Sequence, residues 1–168
     1  MMMAMMLVAS ATAFAGDSDA LKAILKAKGY AEAASLVKSS LSQLASDAEK
    51  AKAYNHLVQL AMEKFNNETT IQTENQTAKL TQKAEQPFDT LGYYNAAYDA
   101  LMNAIECNKY DNMPDAKGKV KPKFHDALLQ VIPNARIQLV NGGQWAAQHS
   151  NDEGVLKYWG TFLDTEDA

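Results

Sequence analysis

Few side chains in this sequence are of a kind that does chemistry, and their spacing does not gather them. Cys107 is the single cysteine. It sits on a helical segment behind Leu101 and Ala104, which reads as a semi-buried and inert thiol. His56, His125 and His149 lie on separate helical segments. None has the His or Glu partner at helix-face spacing that would put two ligands on one side, so a metal site would need tertiary assembly, and they read as surface histidines. Gly118-Lys119 is not a phosphate loop: no glycine precedes it at the required spacing, and Val120 stands where Ser or Thr would bind magnesium. Asp111, Asp115 and Gly118 lack the ligand alternation and terminal Glu of a calcium loop. The lysines at 117, 119, 121 and 123 read as a solvated edge. Asp99 and Glu106 have no sequence neighbour that would shift their titration. No catalytic residue, cofactor or metal is therefore expected.

The elements around these residues read as helices. The 168 residues fit one domain, and a composition 47% hydrophobic and 21% charged is that of a globular chain. Sixteen Lys and Arg against 20 Asp and Glu give −4, and Arg136 is the only arginine, which leaves no electrostatic footprint for nucleic acid. Ala4 to Ala15 is apolar and ends in Ala13-Phe14-Ala15, small residues where a signal peptidase reads. Residues 1–15 are therefore expected to be a secretory signal peptide, although no Lys or Arg precedes the apolar run. That run is too short for a bilayer, and no later stretch approaches about 20 apolar residues, so no membrane span is expected. Gly16, not cysteine, follows the cleavage site, which argues against a lipid anchor.

Along the mature chain, 16–168, the first helix covers Asp17 to Lys28, with Leu21, Ile24 and Leu25 on one face and Gly29 ending it in a left-handed conformation. A second covers Tyr30 to Leu44. Ser46 and Glu49 form a capping box for a third helix that runs to about Phe65 on the stripe Ala51, Tyr54, Val58, Ala61. The polar insertion 66–87 has little to bury and reads either as a solvated continuation of the third helix or as a mobile insertion, with the absence of Gly and Pro before Pro87 favouring partial helix. Its two Asn-X-Thr triplets, at Asn67 and Asn75, are too short a motif to carry weight. Asp89 or Thr90 caps a fourth helix with the stripe Leu91, Tyr94, Tyr98, Leu101, Ile105. A loop with Pro114 and Gly118 follows. Pro122 opens a fifth helix that stays in phase through Pro133, and a second capping box, Ser150 with Glu153, opens the last.

Three of these helices share a small–large–small signature: Ala33/Val37/Ser40, Ala97/Leu101/Ala104 and Gly154/Tyr158/Thr161. Each is the second helix of a pair, and the last pair adds Gly142 and Trp145 on its first helix. That pair closely resembles the tetratricopeptide repeat, although the spacings of 97−33=64 and 154−97=57 residues exceed the usual ~34. The later half, from Tyr93 to Leu128, is also similar to exported tetratricopeptide proteins of Gram-negative gut anaerobes. The resemblance implies an all-α fold of about three antiparallel hairpins stacked as a tetratricopeptide-like solenoid, in the periplasm, at the outer membrane or secreted. It also implies a non-catalytic scaffold that binds a protein partner or further repeats; the alternatives are a self-associating structural envelope protein and, with less behind it, an enzyme with an unrecognised site. Tyr93, Tyr94 and Tyr98 belong either to that binding surface or to the core and rim of their helix pair. The last helix carries Tyr158, Trp159 and Phe162 and has no polar capping helix after it, so Trp159 and Phe162 are expected to face outward as an apolar contact patch.

Overall fold

The computed structural model describes residues 16–167; the expected signal peptide lies outside the described residues. The fold is all-α, with six helices packed together and no strand among the described residues: α1 (Asp19–Lys26), α2 (Tyr30–Ser40), α3 (Asp47–Leu80), α4 (Thr90–Asp111), α5 (His125–Gln148) and α6 (Asp152–Asp164). Each helix packs on the next in sequence, and α1 also reaches α3.

Small residues set this packing. Ala96, Ala97, Ala100 and Ala104 are buried on α4, and Ala51 and Ala61 on α3, so the two helices approach closely. They run antiparallel, with Phe65 stacked on Tyr93 at one end and Tyr54 on Tyr110 at the other. Helix α3 buries two faces. Ala51 and Val58 join Leu101, Cys107, Leu128, Leu139 and Tyr158 in the main core, while Ala53 and Leu57 join Leu21, Ile24, Ala33 and Val37 in a second core under α1 and α2. One helix at the centre of two cores must be apolar on both sides, which accounts for its broad stripe.

Several local expectations change. Ala27, in extended backbone, ends α1, and Gly29 instead precedes α2 with φ −106°. The His56 ring Nε2 lies 2.9 Å from the Ala27 carbonyl, so a side chain of α3 satisfies the end of α1 where a left-handed glycine was expected. Helix α2 stops at Ser40 and tightens into a 3₁₀ turn over Leu41–Gln43. Ser46 does cap α3, accepting from the Glu49 amide, but the Glu49 carboxylate does not return to Ser46. It accepts instead from Ser18 N, Ser18 Oγ and Ala45 N at 2.7–2.8 Å, clasping the start of α1 to α3.

The polar insertion is helical to Leu80. The chain then turns at Gln82 in the left-handed region and runs back along α3. Asn75 is buried and zips the two limbs of this arm together: its Nδ2 donates to the Gln86 carbonyl, and its Oδ1 accepts from the Gln86 amide. Lys64, Glu68 and Asp89 close the base. Asn75 therefore presents no free amide, whatever its sequence context.

Of the two cap candidates Asp89 is the one used, accepting from the Gly92 amide; Leu101 is fully buried and Tyr94, Tyr98 and Ile105 pack half-buried against the core as the stripe predicts, but Leu91 is exposed and the buried face also takes in Tyr93, Ala97, Ala100, Ala104 and Cys107. Helix α5 begins at His125, three residues after Pro122, because the buried Asp111 carboxylate holds the Lys123 and Phe124 amides at the end of the loop. It continues through Pro133. Asn151, not Ser150, caps α6 by accepting from Gly154 N, with Ser150 turned to φ +52° just before it. Within the loop, Gly118 has φ +73°, where glycine alone is unstrained.

Candidate interaction surface

The α5–α6 hairpin is held by residues of minimal size on one side and aromatic rings on the other. Gly142 is buried where a Cβ would come within 3.0 Å of the Tyr94 ring and 3.2 Å of Tyr158. Gly154 lies against Ala146, and Tyr158 is fully buried with its hydroxyl donating to Asn95 Oδ1 at 3.0 Å. Trp145 is half-buried against Tyr94, and its other face carries the His149 ring. Thr161 is half-buried and accepts through its carbonyl from the Thr165 hydroxyl. The other residues of the shared signature also pack inward: Ala97, Leu101 and Ala104 on α4 and Ala33 and Val37 on α2 are buried, while Ser40 is half-buried at the end of α2.

The opposite side of this hairpin is open. Trp159 lies across Gly143, where any Cβ would enter the indole ring, and its Nε1 donates to the Val140 carbonyl at 3.1 Å. It is still 40% exposed. Around it Leu156 is 76%, Ile137 57% and Leu163 67% exposed, and Val140 is exposed as well. Leu156, Trp159 and Leu163 recur at three and four along α6 and Ile137 and Val140 at three along α5, and the contacts of Trp159 with Val140 and Gly143 and of Arg136 with Phe162 set the two rows side by side; Leu129 and Pro133 continue the α5 row toward a hollow shared with Asn108 of α4. Phe162 lies beneath the edge of this face and is only half-exposed. The Arg136 guanidinium covers it at 4.7 Å and donates from Nη2 to the Phe162 carbonyl at 3.1 Å. That Arg is the single charged residue between Asp126 and Asp152.

No family model, curated protein or solved structure matches this chain. Its surface must therefore be read from its own geometry.

Of the tyrosines nominated for a binding surface, Tyr93 is buried, stacked on Phe65 with Phe88 beside it. Tyr94 is half-buried and joins Tyr93 to Trp145 and Tyr158, forming an aromatic chain from α3 to α6. Tyr98 is half-buried under the Lys157 ammonium, 4.1 Å from its ring. These three rings serve the packing between helices, and the open face is elsewhere. Sequence reading found Trp159 but passed over Ile137, Val140, Leu156 and Leu163. The signal that marks them is a second apolar row on each helix, together with a run of 25 residues, 127–151, holding one charge.

The chemistry-bearing groups are engaged structurally. Cys107 is buried, its Sγ donates to the Ala51 carbonyl, and burial with the nearby Asp111 pushes the thiol up to about 12. Asp99 corrects the expectation of an ordinary carboxyl: burial raises it, opposed by Lys157 and by the hydrogen bond to Tyr30. The Tyr30 phenol is in turn pushed up to about 12 by its own burial and by Asp99, and its oxygen accepts from Asn103 Nδ2 at 2.9 Å. This cluster ties α2 to α4. Beside the lysine loop lies an open hollow of about 570 Å³ lined by Ser46, Tyr110, Met113, Lys119, Lys121 and Phe124. Among the described residues no group of His, Cys, Asp and Glu is placed to hold a metal ion, and no helix is long and apolar enough to cross a membrane.

Proposed function

We propose that this protein is a non-catalytic protein-binding scaffold of the bacterial envelope, built from degenerate tetratricopeptide-like hairpins and exported to the periplasm, the outer membrane or beyond. The observation that carries the reading is the outer face of α5 and α6, where Trp159 and four large aliphatic side chains are open to water on two neighbouring helices. Contiguous apolar surface of this kind marks contact sites, and Trp is a frequent anchor of them. The repeat likeness is supported by the close approach at Gly142 and Gly154 and by helices that pack in chain order. An enzyme reading has less behind it, because the thiol, the buried carboxyl and the His56 and His149 rings are each occupied by a contact within the fold.

The test is chemical cross-linking and affinity capture of the mature protein in its own envelope fraction, comparing the parent with Ile137→Lys. Cross-links that disappear in a variant that still folds support the surface. Identical cross-links from both proteins would move the binding site off this face. Mass spectrometry of the captured protein should find Gly16 at its start, and intact Met1 on cytoplasmic protein would remove the export part of the reading.

A further inference from the structure

The scaffold reading leaves the occupant of the α5–α6 face open, and this inference rests on that reading. We propose that the face is covered by the same face of a second copy, the two hairpins closing as an isologous pair.

Charge is the first reason. In an isologous contact every residue near the two-fold axis meets itself or its own neighbours, so any charge at the centre would oppose its own copy. The face satisfies this requirement. From Ala127 to Asn151 the only charge is Arg136, and that guanidinium is already turned onto Phe162 and its carbonyl; on α6, Lys157 lies over the Tyr98 ring, and Asp152, Glu153 and Asp164 stand at the two ends of the helix, away from the centre of the row. The exposed polar positions of α5 that flank the apolar row, Gln130, Asn134, Asn141 and Gln144, are all neutral amides, which can pair with their own copies as donor and acceptor.

Gly160 is the second reason. It lies mid-helix on the outer side of α6, between Leu156 and Leu163, and a Cβ there would meet nothing within 4 Å. The fold of one chain does not need glycine at this position, yet glycine inside a helix is less favourable than alanine because it loses more backbone freedom on folding. A second helix backbone approaching α6 gives that glycine a use.

Size and the rest of the surface point the same way. Two packed helices are roughly 20 Å across and α6 is about 20 Å long, a footprint on the order of 400 Å² that the longer α5 extends, the same order as the ~800 Å² each partner gives a stable interface. No matching apolar face exists at the other end of the described chain. Helices α1 and α2 present Asp19, Lys22, Lys26, Glu32 and Lys38 outward, a polar cap that would not receive Trp159 and Leu163. The other exposed large apolar side chains, Leu25, Leu80, Leu91, Met102, Met113 and Val120, are spread over α1, the end of α3, α4 and the loop after it, so among the described residues the complementary apolar row is that of the face itself and a head-to-tail contact is disfavoured.

Sedimentation of the purified mature chain over a hundredfold range of concentration should show a monomer–dimer equilibrium. Ile137→Lys and Leu163→Lys should each weaken it at least tenfold while leaving the helical circular-dichroism signal and thermal midpoint unchanged, since both side chains are largely in water. Single cysteines placed in turn at Ile137, Val140, Leu156 and Leu163 test the symmetry. At least one should form a disulfide with its own copy, which a head-to-tail contact does not allow. A parent that stays monomeric throughout overturns self-pairing, and the envelope cross-linking above then decides separately whether another protein occupies the face. A dimer that survives both lysine variants, or that yields no self-disulfide at any of the four positions, overturns the assignment of this face.

Discussion

The indole of Trp159 rests directly on Gly143, with its Nε1 bonded to the Val140 carbonyl one turn away. An anchor for contact with other molecules is thereby fixed in place by its own hairpin, and its outer edge is offered without rotamer freedom left to lose on binding. Gly143→Ala should displace the ring because the added methyl would occupy its space. The expected outcome is a red-shifted Trp emission and a loss of roughly 1–3 kcal/mol from overpacking. Unchanged emission would show that the ring is not seated on Gly143.

Gly142 sits one residue earlier and meets the fully buried Tyr158 ring and the half-buried Tyr94 ring, both packed in the core, instead of a movable edge. Gly142→Leu should therefore lower the denaturation midpoint clearly, by at least the ~1–3 kcal/mol of core overpacking. Lys119→Leu, in the exposed loop, should stay within about 0.5 kcal/mol of the parent. Equal midpoints would remove Gly142 from the contact with Tyr94 and Tyr158.

Cys107 should resist alkylation in the native protein at pH 8, because the thiolate is the reactive form and burial with Asp111 nearby keeps the thiol protonated to about 12. Iodoacetamide labelling followed by mass spectrometry should show little modification until denaturant is added. Rapid labelling of the folded chain would mean the thiol reaches solvent.

Glu49 links acid stability to the docking of α1. Burial by itself would raise its carboxyl, but hydrogen bonds from Ser18 N, Ala45 N and Ser18 Oγ outweigh it and hold the group below the usual carboxylate range. A depressed folded value stabilises the protein above the unfolded Glu value of about 4.3, and the contribution is lost as pH falls through the folded value. Glu49→Gln should cost on the order of 1.5–3 kcal/mol at pH 7 and much less at pH 3, by urea denaturation at both. A constant difference would assign the effect to packing.

Asn75 carries both hydrogen bonds that strap Gln86 to α3, on an arm otherwise poor in apolar contacts. Asn75→Ala should leave the thermal midpoint within about 1 kcal/mol equivalent of the parent, since the cores are elsewhere. Trypsin should cut faster after Lys79 and Lys83 in the variant. Equal cleavage rates would show that the strap is not held by this side chain.

Helical class, the α5–α6 hairpin and its close approach were legible because they are local. Apolar residues recurring at three and four define a helix face, and glycine beside aromatic residues marks where two neighbouring helices meet, without knowledge of anything distant. The same rule placed the continuous α5 through Pro133, and local capping signals placed the cap at Ser46 and narrowed that of α4 to Asp89 or Thr90, of which Asp89 serves. Several ends failed for the opposite reason. The carboxylate of Glu49 went to Ser18, His56 closed α1, and Asp111 fixed the start of α5, each by reaching across more than ten residues where a local motif suggested a nearer partner.

Which apolar row becomes core and which is left in water was decided only by the tertiary structure. Tyr93 and Leu91 are two residues apart and equally suited to a helix face, yet Phe65 on α3 buries the first and no helix covers the second. On α5, Leu139 and Val140 are adjacent; the core takes Leu139 with Leu101 and Tyr158, and Val140 opens outward, its carbonyl accepting from the Trp159 indole. A helix sequence states its periodicity, but the number of faces that find a partner depends on how many helices the fold brings around it.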